Sequence, residues 1–154
     1  MKQTVILFDL DYTLFNTDIY RDGLKDFSLY AEVENTLKNL ADHAVLGIFS
    51  EGETDLQKLK ITNTGLDKYF SDLHIHVFAS KKDFFTFTAR NYTGSKIILV
   101  DDKLEVLFSA KNDHPEIKTV WIKRGKYAEN QQPIENFKPD LEVLDLKDLD
   151  KKLF

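Results

Sequence analysis

Cysteine is absent from the 154 residues, which removes disulfide frameworks and thiolate metal sites from consideration. Positive charge is in deficit: 21 lysines and arginines face 26 aspartates and glutamates, for a formal net charge of -5. A module that reads nucleic acid through a basic face is therefore not expected. Charge does not exclude an enzyme acting on nucleic-acid ends. Long apolar runs are also missing, none approaching the ~20 residues of a membrane span. The first run, Thr4 to Phe8, is too short for a signal-peptide core and ends in aspartates. No membrane partner is expected, and the cytosol is the simplest compartment. No G-x-G-x-x-G occurs, and Gly94-Ser95-Lys96 lacks the earlier glycine that a P-loop requires. Linkers, repeats and low-complexity tracts are missing too.

What remains, 42% hydrophobic and 31% charged, suits one soluble domain spanning 1–154 with a sizeable core. Its apolar runs are Thr4–Phe8, Val45–Phe49, Ile75–Phe78, Ile97–Val100, Lys118–Ile122 and Leu141–Leu144. Most are continuous rather than alternating, as expected of strands buried on both faces of a parallel sheet. Helical spacing separates them. Leu24, Phe27, Val33, Leu37 and Leu40 fall on one stripe, as one helix or as two broken around Tyr30. The segment Thr54 to Asn63 places Leu56 and Leu59 inward and Lys58 and Lys60 outward. Asp83 to Tyr92 sets Phe84 and Phe87 one turn apart, and Leu104 to Lys111 offers Leu104, Leu107 and Phe108. The Asn130 to Pro139 stretch reads as a loop, and Asp145 to Phe154 as a short charged helix with leucines docked on the core. Alternating strands and helices predict an α/β fold, a three-layer Rossmann-like parallel sheet flanked by helices.

Open α/β sheets bind ligands beyond the carboxyl ends of their strands. The first run ends in Asp9 and Asp11, and alternation with period two points Asp9, Asp11 and Thr13 to one side. Two carboxylates so close repel, unless a divalent cation or a lysine sits between them. A polar turn after a strand is the other reading of this stretch. The second run ends in Ser50, followed by Glu51 and Gly52; Lys81 and Lys82 follow the third; Asp101 and Asp102 follow the fourth. Singly, each has a plain explanation: a turn serine, surface lysines, an aspartate helix cap. In this order at four strand ends they are much harder to produce by chance. Asp9, Asp11 and Asp101 or Asp102 offer hard oxygens suited to Mg2+. An aspartate beside the metal can attack phosphorus, a second carboxylate can move the proton, and Ser50 and a lysine can hold the phosphoryl oxygens.

These stretches resemble the four motifs of the haloacid dehalogenase-like superfamily of phosphatases. Asp9-Leu10-Asp11-Tyr12-Thr13-Leu14 is similar to its D-x-D-x-T, Phe49-Ser50 to its strand ending in serine or threonine, Lys81 or Lys82 to its helix-start lysine, and Ile97 to Asp102 to its strand ending in paired acids. Thr64 to Phe70 resembles the connection into the third strand, and Lys118 to Gly125 the fifth strand and its exit. The resemblance implies Asp9 as nucleophile and Mg2+ ligand, and Asp11 as general acid/base with its carbonyl also reaching the metal. Ser50 and Thr13, with backbone N–H groups of Leu10 and Asp11 or of Glu51 and Gly52, would bind phosphate. Asp101 would complete the metal site, with Asp102 as second acid or outer partner. Lys82, directly before the helix cap Asp83, is preferred to Lys81 as the motif lysine. The implied partner is a phosphorylated substrate, small or macromolecular, and the oligomeric state is left open.

Tyr12 stands where many members have glycine, and Glu51 where a neutral residue is common. The room between Thr13 and Ser50 is short, so residues about 15–40 are expected to form a flap rather than a large cap. Phe15, Asn16, Thr17, Asp18, Tyr20 and Arg21 are candidate substrate contacts there, with Phe15 and Tyr20 also readable as flap packing. A receiver-type phosphoacceptor domain has its groups in a different order, and a non-catalytic binding protein of the same fold needs a hidden defect at Tyr12 or Glu51. His74 and His76 would form a two-imidazole metal site if they faced one way, but no further ligand cluster accompanies them. His43 and His114 read as surface or helix-end residues, and Trp121 as core.

Overall fold

The computed structural model describes residues 1–21 and 26–154. Six strands, β1 (Thr4–Phe8), β2 (Val45–Glu51), β3 (Ile75–Phe78), β4 (Lys96–Asp101), β5 (Lys118–Ile122) and β6 (Leu141–Val143), form one sheet. Its order is β3-β2-β1-β4-β5-β6 and every pairing is parallel. The strand positions match the six apolar runs of the sequence. β1 lies at the centre because its alternating side chains serve both faces. Ile6 and Phe8 join one core, with Val33, Leu37 and Leu40 of α2 (Val33–Ala41), Ile61 of α3 (Thr54–Asn63) and Leu149 of α7 (Leu149–Leu153). Val5 and Leu7 join the other, with Phe85 and Ala89 of α4 (Phe85–Ala89) and Val106, Leu107 and Ala110 of α5 (Leu104–Asp113). Each of the buried Val, Leu, Ile and Phe side chains contributes about 1.5–3 kcal/mol on burial. The result is the expected three-layer α/β fold. No helix among the described residues is long and apolar enough to cross a membrane.

Several local expectations differ. Leu24 lies outside the described residues, and Phe27 and Tyr30 precede α2 rather than continue it. In α3 the inward residues are Gln57, Lys60 and Ile61, whereas Leu59 is exposed. Phe84 and Phe87 are exposed, with Phe84 stacked on Phe78 at 4.6 Å. A short helix, α6 (Gly125–Asn130), fills a stretch with no clear apolar period. His74 Nδ1 and His76 Nε2 both meet the Tyr92 hydroxyl, at 3.1 and 2.7 Å, so one ring nitrogen of each is engaged there. Trp121 is half-buried, its indole N–H given to the Asp102 carbonyl at 2.9 Å.

The turn after β1 places the site. Tyr12 adopts the left-handed region at φ 59, where glycine fits without a Cβ clash and other residues pay about 1–2 kcal/mol. Its neighbours offset that cost. The Tyr12 N–H reaches the Thr17 hydroxyl at 2.9 Å, its carbonyl accepts from Arg124 Nε at 3.2 Å, and its ring meets Tyr127 edge-on at 5.8 Å. The ring also lies flat over Gly125, where a Cβ would fall 2.3 Å from Tyr12 Cδ1, and Gly125 itself has φ +80. Gly125→Ala is therefore expected to destabilise the protein by roughly 2 kcal/mol or more, read as a lower urea midpoint. Unchanged stability would show that the Tyr12 ring moves aside freely.

Candidate active site

Asp9 continues β1 beyond its last pair, its N–H donated to the Val100 carbonyl at 2.9 Å. Lys81, carried back from the loop after β3, sets Nζ 2.7 Å from Asp9 Oδ1 and 2.5 Å from Asp101 Oδ2. Its third contact is the Phe49 carbonyl at 3.2 Å. The Thr13 hydroxyl donates to Asp9 Oδ2 at 3.2 Å, and the Lys103 N–H to Asp101 Oδ1 at 2.9 Å. Asp102 is anchored through its carbonyl by Trp121 and Gln131, while its buried Oδ2 has no hydrogen-bond partner among the described residues. One oxygen each of Asp9, Asp101 and Asp102 lie within 4.8 Å of one another. Three buried carboxylates thus converge beside one buried ammonium, which contacts two of them.

That imbalance shows in the ionisation. Burial pushes Asp102 up to about 10, helped by the charges of Asp9 and Asp101. Asp101 rises to about 6, burial outweighing the Lys81 ammonium that opposes it. For Lys81 burial acts downward, but the Asp101 and Asp9 carboxylates prevail and hold it above the ordinary lysine range. Lys82 is exposed. The preference for Lys82, and with it the reading of Asp83 as the helix cap, is thereby corrected: α4 is capped at Phe84, and the loop following β3 points Lys81 rather than Lys82 at the sheet edge.

Asp11 faces a different cation. Lys60 Nζ lies 2.7 Å from Asp11 Oδ1, the Thr17 hydroxyl donates to the same oxygen at 3.0 Å, and Gln57 Nε2 donates to Oδ2 at 2.9 Å. Gln57 Nε2 also donates to Ser50 Oγ at 2.8 Å. Ser50 is fully buried, and accepting from Gln57 leaves its own hydrogen for another acceptor. Glu51 turns its carboxylate to the Lys81 N–H at 3.0 Å and stands 3.7 Å from Lys103 Nζ. The Leu10 side chain is core, and its carbonyl closes the turn by accepting from Thr13, Leu14 and Phe15. Arg124 clamps the same turn, bonding the Tyr12 and Thr13 carbonyls and, at 2.5 Å, Glu32.

A cavity of about 300 Å³ opens over these groups, lined by Asp9, Asp11 and Asp102 and rimmed by Arg21, Lys103 and Tyr127. Thr17 and Arg21 of the candidate contacts reach it. Phe15 does not: it is fully buried against Tyr20 and Phe27, at 5.7 and 6.1 Å. Asn16 caps a single helical turn, α1 (Thr17–Ile19), and Asp18 is exposed.

No family model matches the sequence, and no curated protein matches it either. Solved structures do match. A haloacid dehalogenase-like hydrolase from Burkholderia xenovorans LB400 superposes with a TM-score of 0.84 at 19% identity, over 98% of this chain and 96% of that one. The HAD-hydrolase YfnB from Bacillus subtilis, bound to magnesium, gives 0.75 at 13%, over 99% of both chains. The L-2-haloacid dehalogenase PA0810 gives 0.71 at 15%, over 98% of both. The chain has the haloacid dehalogenase-like fold.

On this haloacid dehalogenase-like scaffold the four strand-end groups of the sequence meet at one edge. Gln57, Lys60, Lys103, Arg124 and Tyr127 were not anticipated. The signal for the first two was present: with Leu59 between them, the segment from Thr54 to Asn63 carries no clean apolar stripe.

In metal-chelated protein the raised carboxyls set a pH dependence. Asp101 and Asp102 bind protons more tightly folded than unfolded, where the ordinary value is 3.8. Between about pH 4 and 10 the folded state therefore holds more protons, and stability falls as pH rises. Asp102→Asn should flatten that fall above pH 7 in urea titrations with a chelator present. A slope equal to that of the parent would refute the assignment. Lys81→Met, which leaves buried carboxylates uncompensated, should cost about 3–5 kcal/mol, while Lys82→Met should stay within about 0.5 kcal/mol.

Proposed function

We propose that the protein is a Mg2+-dependent phosphatase of the haloacid dehalogenase-like superfamily, one catalytic domain acting through a phosphoryl group carried on Asp9. The observation that carries this reading is the buried, converging trio Asp9, Asp101 and Asp102, two of them paired with Lys81. These residues fit the ion: hard oxygens converge, and Asp102 Oδ2 is buried without a partner among the described residues. When bound, Mg2+ would neutralise charge between the carboxylates and the phosphoryl oxygens.

Asp9 supplies the attacking carboxylate, and its bond to phosphorus forms as the ester P–O bond breaks. The leaving oxygen takes a proton from the Asp11 carboxyl. Asp11 then removes a proton from water, which attacks phosphorus, releases inorganic phosphate and restores Asp9. Lys81 fixes the Asp9 carboxylate at 2.7 Å, and Ser50, buried behind the cavity lining, keeps a hydroxyl hydrogen that a phosphoryl oxygen would have to reach inward to accept. Leaving-group protonation favours a phosphate ester over a haloacid, because a departing halide needs no proton. The open rim suits a phosphorylated partner of either size, in the cytosol.

Purified protein should hydrolyse para-nitrophenyl phosphate only with Mg2+, and Asp9→Asn should lower turnover by roughly 10³-fold or more. Chloride release from 2-chloropropionate, with no phosphate ester consumed across a broad panel, would instead assign a dehalogenase. Asp102 would have to give up its proton to hold the ion, so Mg2+ binding should also release protons, seen as a buffer-dependent heat in calorimetry.

A further inference from the structure

Helix α3 sends two polar side chains, Gln57 and Lys60, into the interior from the face that a packing helix ordinarily fills with apolar residues. Both are buried, and neither lines the cavity. Lys60 Nζ sits over the rings of Phe15 and Tyr20, 5.0 and 5.6 Å from their centroids, and pairs with Asp11 at 2.7 Å. A buried ammonium costs several kcal/mol unless compensated, so this lysine and the Asp11 carboxylate hold one another in place. Gln57 has two amide hydrogens and three acceptors: Ser50 Oγ at 2.8 Å, Asp11 Oδ2 at 2.9 Å and the Glu51 carbonyl at 3.2 Å. The first two contacts join the proposed proton-moving carboxylate to the proposed phosphate-binding hydroxyl through one planar group.

We propose that Gln57 and Lys60 are positioning residues for phosphoryl transfer: Lys60 fixes the Asp11 carboxylate, and Gln57 ties it to Ser50. The group that moves the proton and the group that holds the phosphoryl oxygens then keep one relative geometry, set by α3. This rests on the phosphatase reading above. It differs from a structural role in one measurable way. Loss of folded protein lowers turnover of every substrate by the same factor, whereas a displaced Asp11 penalises those esters whose leaving oxygen needs a proton.

The test compares kcat/KM for 2,4-dinitrophenyl phosphate, which leaves without protonation, with that for phenyl phosphate, which needs it. Both are measured with Mg2+ on the parent, Lys60→Met and Gln57→Leu. The ratio of the two constants is independent of the fraction folded. It should rise about 10-fold or more in each variant, up to the 10²–10⁴-fold that a general acid contributes. Should Lys60→Met give no soluble protein, Gln57→Leu, which adds no charge imbalance, carries the same readout. A ratio equal to the parent's overturns the proposal and leaves the phosphatase reading standing. A parent inert towards both esters, with Mg2+ bound, overturns the reading and this inference with it.

Discussion

A buried ammonium between two carboxylates organises this molecule. Lys81 crosses from the loop after β3 to the ends of β1 and β4, and its contacts at 2.7 and 2.5 Å fix three strand ends to one point. Such a charge costs several kcal/mol to bury, and only carboxylates brought equally close repay it. The strand order follows the same requirement. β1 lies between β2 and β4, so Asp9, Ser50 and Asp101 emerge side by side, and the crevice lies at the point where the chain reverses direction across the sheet. One cation among three carboxylates still leaves the cluster short of positive charge.

A second lysine answers a separate need. Lys60 takes Asp11, Lys81 takes Asp9, and neither lysine serves the other's acid. Two carboxylates from one short turn thus sit in different electrostatic surroundings, one within a crowded acidic cluster and one among neutral donors and a single cation. Different surroundings are what allow chemically identical groups to take different parts in a reaction. The turn that separates them is clamped from outside by Arg124, which bonds two successive carbonyls and stacks over Tyr30 at 3.6 Å.

The sheet was legible because its strands are short apolar runs that end in polar groups, and burial on both faces leaves little alternative. The strand-end groups were legible for the same reason, since a run that stops at an aspartate marks a sheet edge. The contributions of α3 were not, because a lysine at helical spacing looks outward until a buried partner 49 residues away is known. The choice between Lys81 and Lys82 failed on a single residue of loop geometry, which fixes which side chain faces in and which meets solvent. The role of Arg124 was hidden likewise, its acceptors being backbone carbonyls that no side-chain pattern announces.

Tyr12 and Gly125 illustrate what such packing means for change over time. The tyrosine ring occupies the space that any side chain at 125 would need. Glycine at position 12 would remove that clash and leave only the left-handed backbone at 125 to resist a side chain. Once tyrosine is installed, both obstacles stand together. The order of substitution is therefore constrained: glycine at 125 has to come first, and reversal at 125 stays closed while the ring is present. The two sites, far apart in sequence, behave as one heritable unit.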